Sequence, residues 1–489
     1  MTDRLDDLYG GSLALLTDLY QLTMACGYWK EGTAEREAVF HLTFRKPPFG
    51  GGYAIAAGIA PAVAFMRRLR FTDDDVRYLA TLRDSAGGAL FPSGFLDYLR
   101  ALRFTCTVDA VPEGAAVFAH ESLVRVRGPI LQAQLVETPL LAIINFQTLV
   151  ATKAARVCQS ARGQTVLEFG LRRAQGIDGG VSASRAAYIG GCHGTSNVLA
   201  GKLLGIPVGG THAHSWVMFH DDELAAFRAY ADAQPGNCTF LVDTYDTIAG
   251  VRHAIAVGHE LRAAGHALVA IRLDSGDLAH LSIEARAMLD AAGFPDTKIV
   301  ASNDLDEDLI ASLREQGARI DVWGVGTRLV TGHSAGALGG VYKLGAARDR
   351  SGVWREAIKL SEQPAKISNP VVLQVRRLWR GAELAGDIIY DSEHGLAAPA
   401  SYDLDDLSRP PVTVVHDRSE DLLACVLDRG EPCATFELAR ARARAAADLA
   451  ALSARTKRFL NPQPYSVGLD AHVHDRKREL IAQAREGAR

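Results

Sequence analysis

Two short polar stretches hold side chains whose types and spacing could do chemistry. The first, GGTHAHSWVMFH over residues 209–220, carries three histidines, with His212 and His214 one residue apart. That spacing admits three readings. A H-x-H pair at a strand end is a zinc-ligand pattern, provided later strands add further ligands. A single reactive histidine could instead accept a group as a nucleophile and pass it on, oriented by a carboxylate such as Asp243. The third reading is two histidines satisfied by hydrogen bonds within the core. The later strand ends offer Asp243, Arg272, Asp274, Asn303 and Gly326 but no histidine, which weighs against zinc.

The second stretch is IRLDSGD, residues 271–277. Alternate residues of a strand share a face, so Arg272 and Asp274 lie together, opposite Ile271 and Leu273. A cation and an anion then reach the C-terminal end of a parallel strand, where α/β proteins bind ligands. Asp274, Ser275, Gly276 and Asp277 form a tight polar turn. Carboxylates in such a turn can hold ribose hydroxyls or Mg²⁺, and Arg272 can grip a phosphate or carboxylate through two N–H groups. An Arg–Asp ion pair that merely ends the strand is the plainer alternative.

Three more strand ends are candidates. In WGVGTRLVTG (323–332), Gly324 and Gly326 let backbone amides approach an anion and Thr327 adds a hydroxyl, although a simple glycine turn fits equally. In LVDTYDT (241–247), Asp243 stands at the strand tip and Asp246 caps the next helix. In LEFGLRRAQG (167–176), Phe169 could present its ring to a flat ligand, while Arg172 or Arg173 could meet an anion.

The elements that must position these residues are legible as a rhythm. Apolar runs at 164–169, 239–243, 267–274, 298–302 and 319–324 read as strands, and most are separated by helix-like segments. Leu305, Leu309 and Leu313 mark one such helix, with Asp304 as its expected N-cap and Gly317 as its stop. Strand, helix, strand at intervals of roughly 20 to 30 residues predicts a parallel α/β sheet, closed or open. The chain ends differ in character. A charged helical stretch is expected near 72–84, strands in VVLQVRRL and PVTVVHD, and a helix over 436–455.

Composition sets outer bounds. The chain has 489 residues, 48% hydrophobic and 22% charged, which is the balance of a globular protein of two or three domains. A net charge of −4 gives no global field for nucleic acid or an anionic membrane. Seven cysteines without C-x-x-C spacing read as reduced thiols. The N-terminal MTDRLDDLYGG shows no basic-then-apolar leader. No apolar run approaches the ~20 residues that span a bilayer. A cytoplasmic protein is expected, without nucleic-acid or membrane partners.

The same stretches, with others in fixed order, resemble the nicotinate phosphoribosyltransferase family over nearly the whole chain. The matching segments are LLTDLYQLTMA (15–25), FRKPPFGGGYAIAAG (44–58), ETPLLA (137–142), GLRRAQGIDGG (170–180), SNVLAG (196–201), GTHAHSWV (210–217), IRLDSGDL (271–278), VGTRLVT (325–331), LGGVYKL (338–344) and NPQPYSVGL (461–469). The resemblance implies an irregular (β/α) barrel of the type II phosphoribosyltransferase kind, with a second α+β domain built from both chain ends. The expected division is 1–125, 126–345 and 346–489.

It also implies an activity. Such enzymes join nicotinate to 5-phosphoribosyl 1-pyrophosphate, giving nicotinate mononucleotide and pyrophosphate, with Mg²⁺ present and ATP hydrolysed through a phosphohistidine. By that resemblance His214 is the phosphorylated residue and His212 is incidental. Thr211, Phe169, Arg172 and Arg272 would bind nicotinate, joined by Tyr20 from the partner subunit of a homodimer with shared active sites. Arg272, Asp274, Ser275, Gly276, Gly326 and Thr327 would hold the phosphoribosyl group. Asp243 would orient His214 or bind Mg²⁺, with Asp274 and Asp277 as further candidate metal ligands. The rivals are a nicotinamide phosphoribosyltransferase, a zinc-dependent barrel hydrolase using His212 and His214, and a nucleotide-binding paralogue without turnover.

Overall fold

The computed structural model describes residues 12–363, 366–396 and 398–486. The stretch MTDRLDDLYGG, read as lacking a basic-then-apolar leader, covers residues 1–11, outside those described. The chain forms two compact units: one runs to Thr152 and resumes at Ala337, and the other is Lys153–Gly336.

These limits differ from the expected 125/126 and 345/346. Val124–Pro129 pairs antiparallel with Glu37–Phe44, and Gly340–Arg348 pairs with the other edge of that same strand. Both therefore belong to the sheet of the terminal unit. The first limit falls inside the helix Glu137–Ala161. Within the terminal unit, Thr148 and Thr152 hydroxyls bond the backbone of Ala57 and Ile55 at 3.2 and 2.9 Å. Within the middle unit, Lys153 and Arg156 each meet the buried Glu307 carboxylate at 2.7 Å. This helix is long and apolar enough to cross a membrane, contrary to the sequence reading. Its apolar window is 72% buried in protein, however, as in a core helix.

The terminal unit holds a seven-stranded sheet and a four-stranded sheet. The helix over 436–455 forms as Leu438–Ala451, and the charged stretch forms Asp73–Thr81 with a Thr72–Asp75 capping box. VVLQVRRL becomes the strand Leu373–Arg380, but PVTVVHD gives only Val412–Thr413. Both residues of that short strand are exposed, so no burial rewards a longer one. The two chain ends are joined through Arg377. Its guanidinium is fully buried against Asp387 and Asp448 at 2.7 and 3.0 Å, and donates to the Ala116 carbonyl at 2.6 Å.

The middle unit is built on a parallel half-barrel of six strands. They are β1 (Thr165–Glu168), β2 (Gly194–Thr195), β3 (Cys238–Leu241), β4 (Leu268–Leu273), β5 (Lys298–Ala301) and β6 (Val322–Val325), in the spatial order β2-β1-β6-β5-β4-β3. The intervening helices are α1 (Ile177–Ile189), α2 (Val198–Leu204), α3 (His214–Phe219), α4 (Glu223–Ala233), α5 (Thr247–Ala263), α6 (Leu278–Ala291), α7 (Glu307–Glu315) and α8 (Thr327–Val330). Side-chain caps fix where several begin: Asn197 for α2, Asp222 for α4, Asp246 for α5, Asp277 for α6 and Asp306 for α7. The N-cap of α7 is thus Asp306, not Asp304. Asn303 and Asp304 adopt positive φ of 85° and 27° in the turn after β5, which delays the helix by two residues. Gly317 ends that helix at φ +82°, as its sequence position predicts.

Candidate active site

The C-terminal ends of β3 and β4 gather the polar residues of the middle unit. Arg272, on β4, is largely buried and spends its guanidinium on three partners. It donates to Thr211 Oγ1 at 3.0 Å, Ser302 Oγ at 2.8 Å and Asp274 Oδ1 at 2.8 Å. The Phe169 ring lies 5.9 Å from the same guanidinium carbon. Gly324 makes room for that ring: a Cβ there would stand 2.6 Å from Phe169 Cδ2. Arg272, Asp274, Thr211 and Phe169 are therefore brought together.

Asp274 also accepts from the Ser302 hydroxyl. Burial alone would raise its carboxyl. The Ser302 hydroxyl and the Arg272 guanidinium outweigh that, with a smaller contribution from His214, and hold it below the usual carboxylate range. His214 opens α3, its ring partly exposed. Its Nε2 lies 3.7 Å from Asp274 Oδ2, and its Nδ1 lies 3.1 Å from Thr244 Oγ1.

Asp243 does not orient His214. Its Oδ2 accepts from the Asp274 backbone N–H at 2.8 Å and the Ser275 hydroxyl at 2.6 Å, so it braces the polar turn. Its Oδ1 is buried with no hydrogen-bond partner. Asp277 is exposed and caps α6 through the His280 amide at 3.1 Å. Gly276 has φ +77°, the conformation that turns the chain from β4 into α6.

Two further strand ends complete the picture. Gly326 and Thr327 stand where β6 passes into α8, and the Gly326 carbonyl accepts from Leu329 and Val330. Arg328 behind them pairs with Asp306 at 2.5 Å. Arg172 lies in a 3₁₀ turn after β1, exposed, as does Arg173. Tyr20 belongs to the terminal unit, on the helix Leu19–Lys30, and is 48% exposed.

His212 is a core residue. Its Nε2 accepts from the Leu241 N–H at 3.2 Å, and its ring packs among Phe227, Tyr230 and Phe240. Burial drives its pKa down to about 4, with Arg272 and His214 adding to the effect. With Nε2 committed to a backbone amide, His212 does not offer that nitrogen to a metal. Among the described residues no cluster of three or more His, Cys, Asp or Glu side chains has metal-binding geometry.

Sequence reasoning missed three residues. Thr244 contacts His214, Ser302 bridges Arg272 and Asp274, and the buried Glu168 binds the hydroxyls of Ser184 and Thr195 at 2.8 and 2.6 Å. Ser302 could have been found, because it is the polar residue that closes KIVAS, two residues past Val300, the register partner of Arg272. Thr244 follows Asp243 directly, and no sequence signal separates its hydroxyl from that carboxylate.

Fold and site together define an α/β protein whose polar site lies at the carboxyl ends of parallel strands, where such folds bind their ligands. Profiles of the nicotinate phosphoribosyltransferase N-terminal domain, family region and C-terminal domain match residues 15–145, 165–344 and 390–477. The chain belongs to the nicotinate phosphoribosyltransferase family. It is 36% identical over 531 residues to the nicotinate phosphoribosyltransferase of Homo sapiens, covering 96% of each chain. It is 47% identical over 368 residues to that of Bacillus subtilis, covering 75% of this chain and 73% of the relative. The crystal structure of human nicotinic acid phosphoribosyltransferase superposes with a TM-score of 0.83 at 34% identity, covering 95% of this chain and 99% of that one. A nicotinate-nucleotide pyrophosphorylase from Pyrococcus furiosus, at 20% identity and a TM-score of 0.66, shares the fold.

Proposed function

We propose that this enzyme transfers the phosphoribosyl group of 5-phosphoribosyl 1-pyrophosphate to nicotinate, releasing nicotinate mononucleotide and pyrophosphate, and couples the reaction to ATP through a phosphohistidine at His214. The observation that carries the proposal is the convergence of Arg272, Thr211, Asp274 and His214 at the strand ends.

Nicotinate is an anion. A guanidinium held between Thr211, Ser302 and Asp274 is fixed in place, and the Phe169 ring beside it offers a face for the pyridine. Neutral nicotinamide would forgo the charge-assisted bond, so this pocket favours the acid. Positive charge develops on the ribose as pyrophosphate departs, and Asp274, kept ionised, stands to stabilise it and to hold ribose hydroxyls. Gly326 and Thr327 supply backbone and hydroxyl groups for the 5′-phosphate, with Ser275 and Gly276 in the opposing turn. Arg172 adds positive charge at the rim.

The carboxylates also suit Mg²⁺. The unpartnered Asp243 Oδ1 and the ionised Asp274 form a hard oxygen donor set, whereas Asp277 is spent on its helix cap. Bound there, Mg²⁺ would neutralise the departing pyrophosphate.

The exposed Leu19, Tyr20 and Met24 of the first helix favour a homodimer in which Tyr20 reaches the partner's site. None of the seven cysteines, all among the described residues, is in a disulfide, which favours a reducing, cytoplasmic location. The test is product formation from 5-phosphoribosyl 1-pyrophosphate and Mg²⁺ with nicotinate or nicotinamide, each with and without ATP. Nicotinate mononucleotide should form preferentially, and faster with ATP. Equal use of both bases would overturn the specificity, and indifference to ATP would overturn the coupling.

A further inference from the structure

We infer that Thr244 is the positioning residue of the reactive histidine: its hydroxyl accepts a hydrogen bond from Nδ1–H of His214 and so leaves Nε2 as the nucleophile. The inference rests on the phosphohistidine reading above.

Among the described residues, only one ring nitrogen of His214 has a partner at hydrogen-bond distance. Nδ1 is 3.1 Å from Thr244 Oγ1, whereas Nε2 is 3.7 Å from the nearest Asp274 oxygen, beyond hydrogen-bond range. The tautomer of a histidine is set by the bond that its other nitrogen makes. A proton on Nδ1, held by Thr244, places the lone pair on Nε2, the nitrogen that faces Asp274 and the substrate-binding strand ends. Asp243, the obvious carboxylate for this task, gives its Oδ2 to Asp274 N–H and Ser275, and its Oδ1 makes no hydrogen bond to His214.

The chain on either side of Thr244 is anchored. It sits between β3 and the N-cap of α5, where Asp246 accepts from the Ala249 N–H at 2.7 Å. On its other side the Val242 N–H donates to the Arg272 carbonyl at 3.2 Å.

In the transfer step, the Nε2 lone pair forms a bond to the γ-phosphorus of ATP. The P–O bond to the β-phosphate breaks, and ADP leaves with that electron pair. The ring becomes cationic with its proton still on Nδ1. The Nδ1–H···Oγ bond becomes charge-assisted at that moment, so Thr244 stabilises the product of phosphorylation more than the resting ring.

The test uses the full chain with γ-³²P-labelled ATP and Mg²⁺. The rate of acid-labile, base-stable labelling is followed, and the phosphorylated nitrogen is identified with isomer-specific phosphohistidine antibodies. The wild-type protein should label on Nε2. Thr244→Val should label at least roughly tenfold more slowly, the effect of losing one hydrogen bond to a charged group. Thr244→Ser, which keeps the hydroxyl, should restore most of the rate, a rescue that a purely packing role would not give. Labelling on Nδ1, a valine variant as fast as wild type, or a serine variant as slow as valine would each overturn the role of Thr244. If the wild-type protein takes no label, the phosphohistidine reading fails and Thr244 falls with it.

Discussion

Gly250 packs so closely on Val242 that a Cβ at position 250 would lie 2.0 Å from the Val242 carbonyl oxygen. Helix α5 thus rests directly on the chain leaving β3, two residues before Thr244. Gly250→Ala must push helix and strand end apart. The expected result is a loss of about 1–3 kcal/mol of stability, as for overpacked cores, together with lower nicotinate mononucleotide synthesis. Denaturant unfolding and an activity assay on the same preparation would check it. An unchanged unfolding midpoint would show that the contact yields freely.

Arg272→Lys keeps the charge but loses the fork that reaches Thr211, Ser302 and Asp274 together. A bond to a charged group contributes about 1.5–3 kcal/mol, so the KM for nicotinate should rise by roughly 10- to 100-fold. Steady-state kinetics at saturating 5-phosphoribosyl 1-pyrophosphate would measure this. A lysine variant with an unchanged KM would remove Arg272 from nicotinate recognition.

The parallel middle of the chain was legible because its strands are short, apolar and bounded by capped helices, and every predicted strand from QTVLEF to RIDVWG is present. Arg272 and Asp274 were legible because strand alternation puts them on one face. The limits of the middle unit were not, because Val124–Pro129 and Gly340–Arg348 look like any other strands and only their pairing with Glu37–Phe44 assigns them. Nor was the division of labour between Asp243 and Thr244. Spacing brings both to the strand tip, but only the fold shows that the carboxylate turns toward Ser275 and the hydroxyl toward His214.

Cys425 and Cys433 are exposed, and their sulfurs lie 3.0 Å apart across a hairpin of the terminal unit. A small-molecule disulfide in excess should be reduced to two thiols while this pair closes to a cystine. Burial and the neighbouring Cys433 push the Cys425 thiol up to about 12, so closure should quicken as pH rises. Intact-mass analysis should show the loss of two hydrogens, reversed by dithiothreitol and absent in Cys433→Ser. Stable mixed disulfides on both sulfurs would show that the hairpin holds them too far apart.

His212 should make the middle unit sensitive to acid. Its pKa is about 4 in the fold against a reference of 6.5, because the ring is buried among aromatic side chains. An unfolded chain therefore takes up a proton as pH falls below 6.5, while the folded one does not until about pH 4. The stability from neutral His212 is fully present above the higher value and declines as pH falls toward the lower one, by at most about 1.4 kcal/mol per pH unit. Replacing His212 with glutamine, which can still accept from the Leu241 N–H, removes the titration. Denaturant unfolding at pH 7 and at pH 5 should show a smaller acid-induced loss for His212→Gln than for the wild-type chain. Equal losses would mean that the imidazole finds solvent in the folded state.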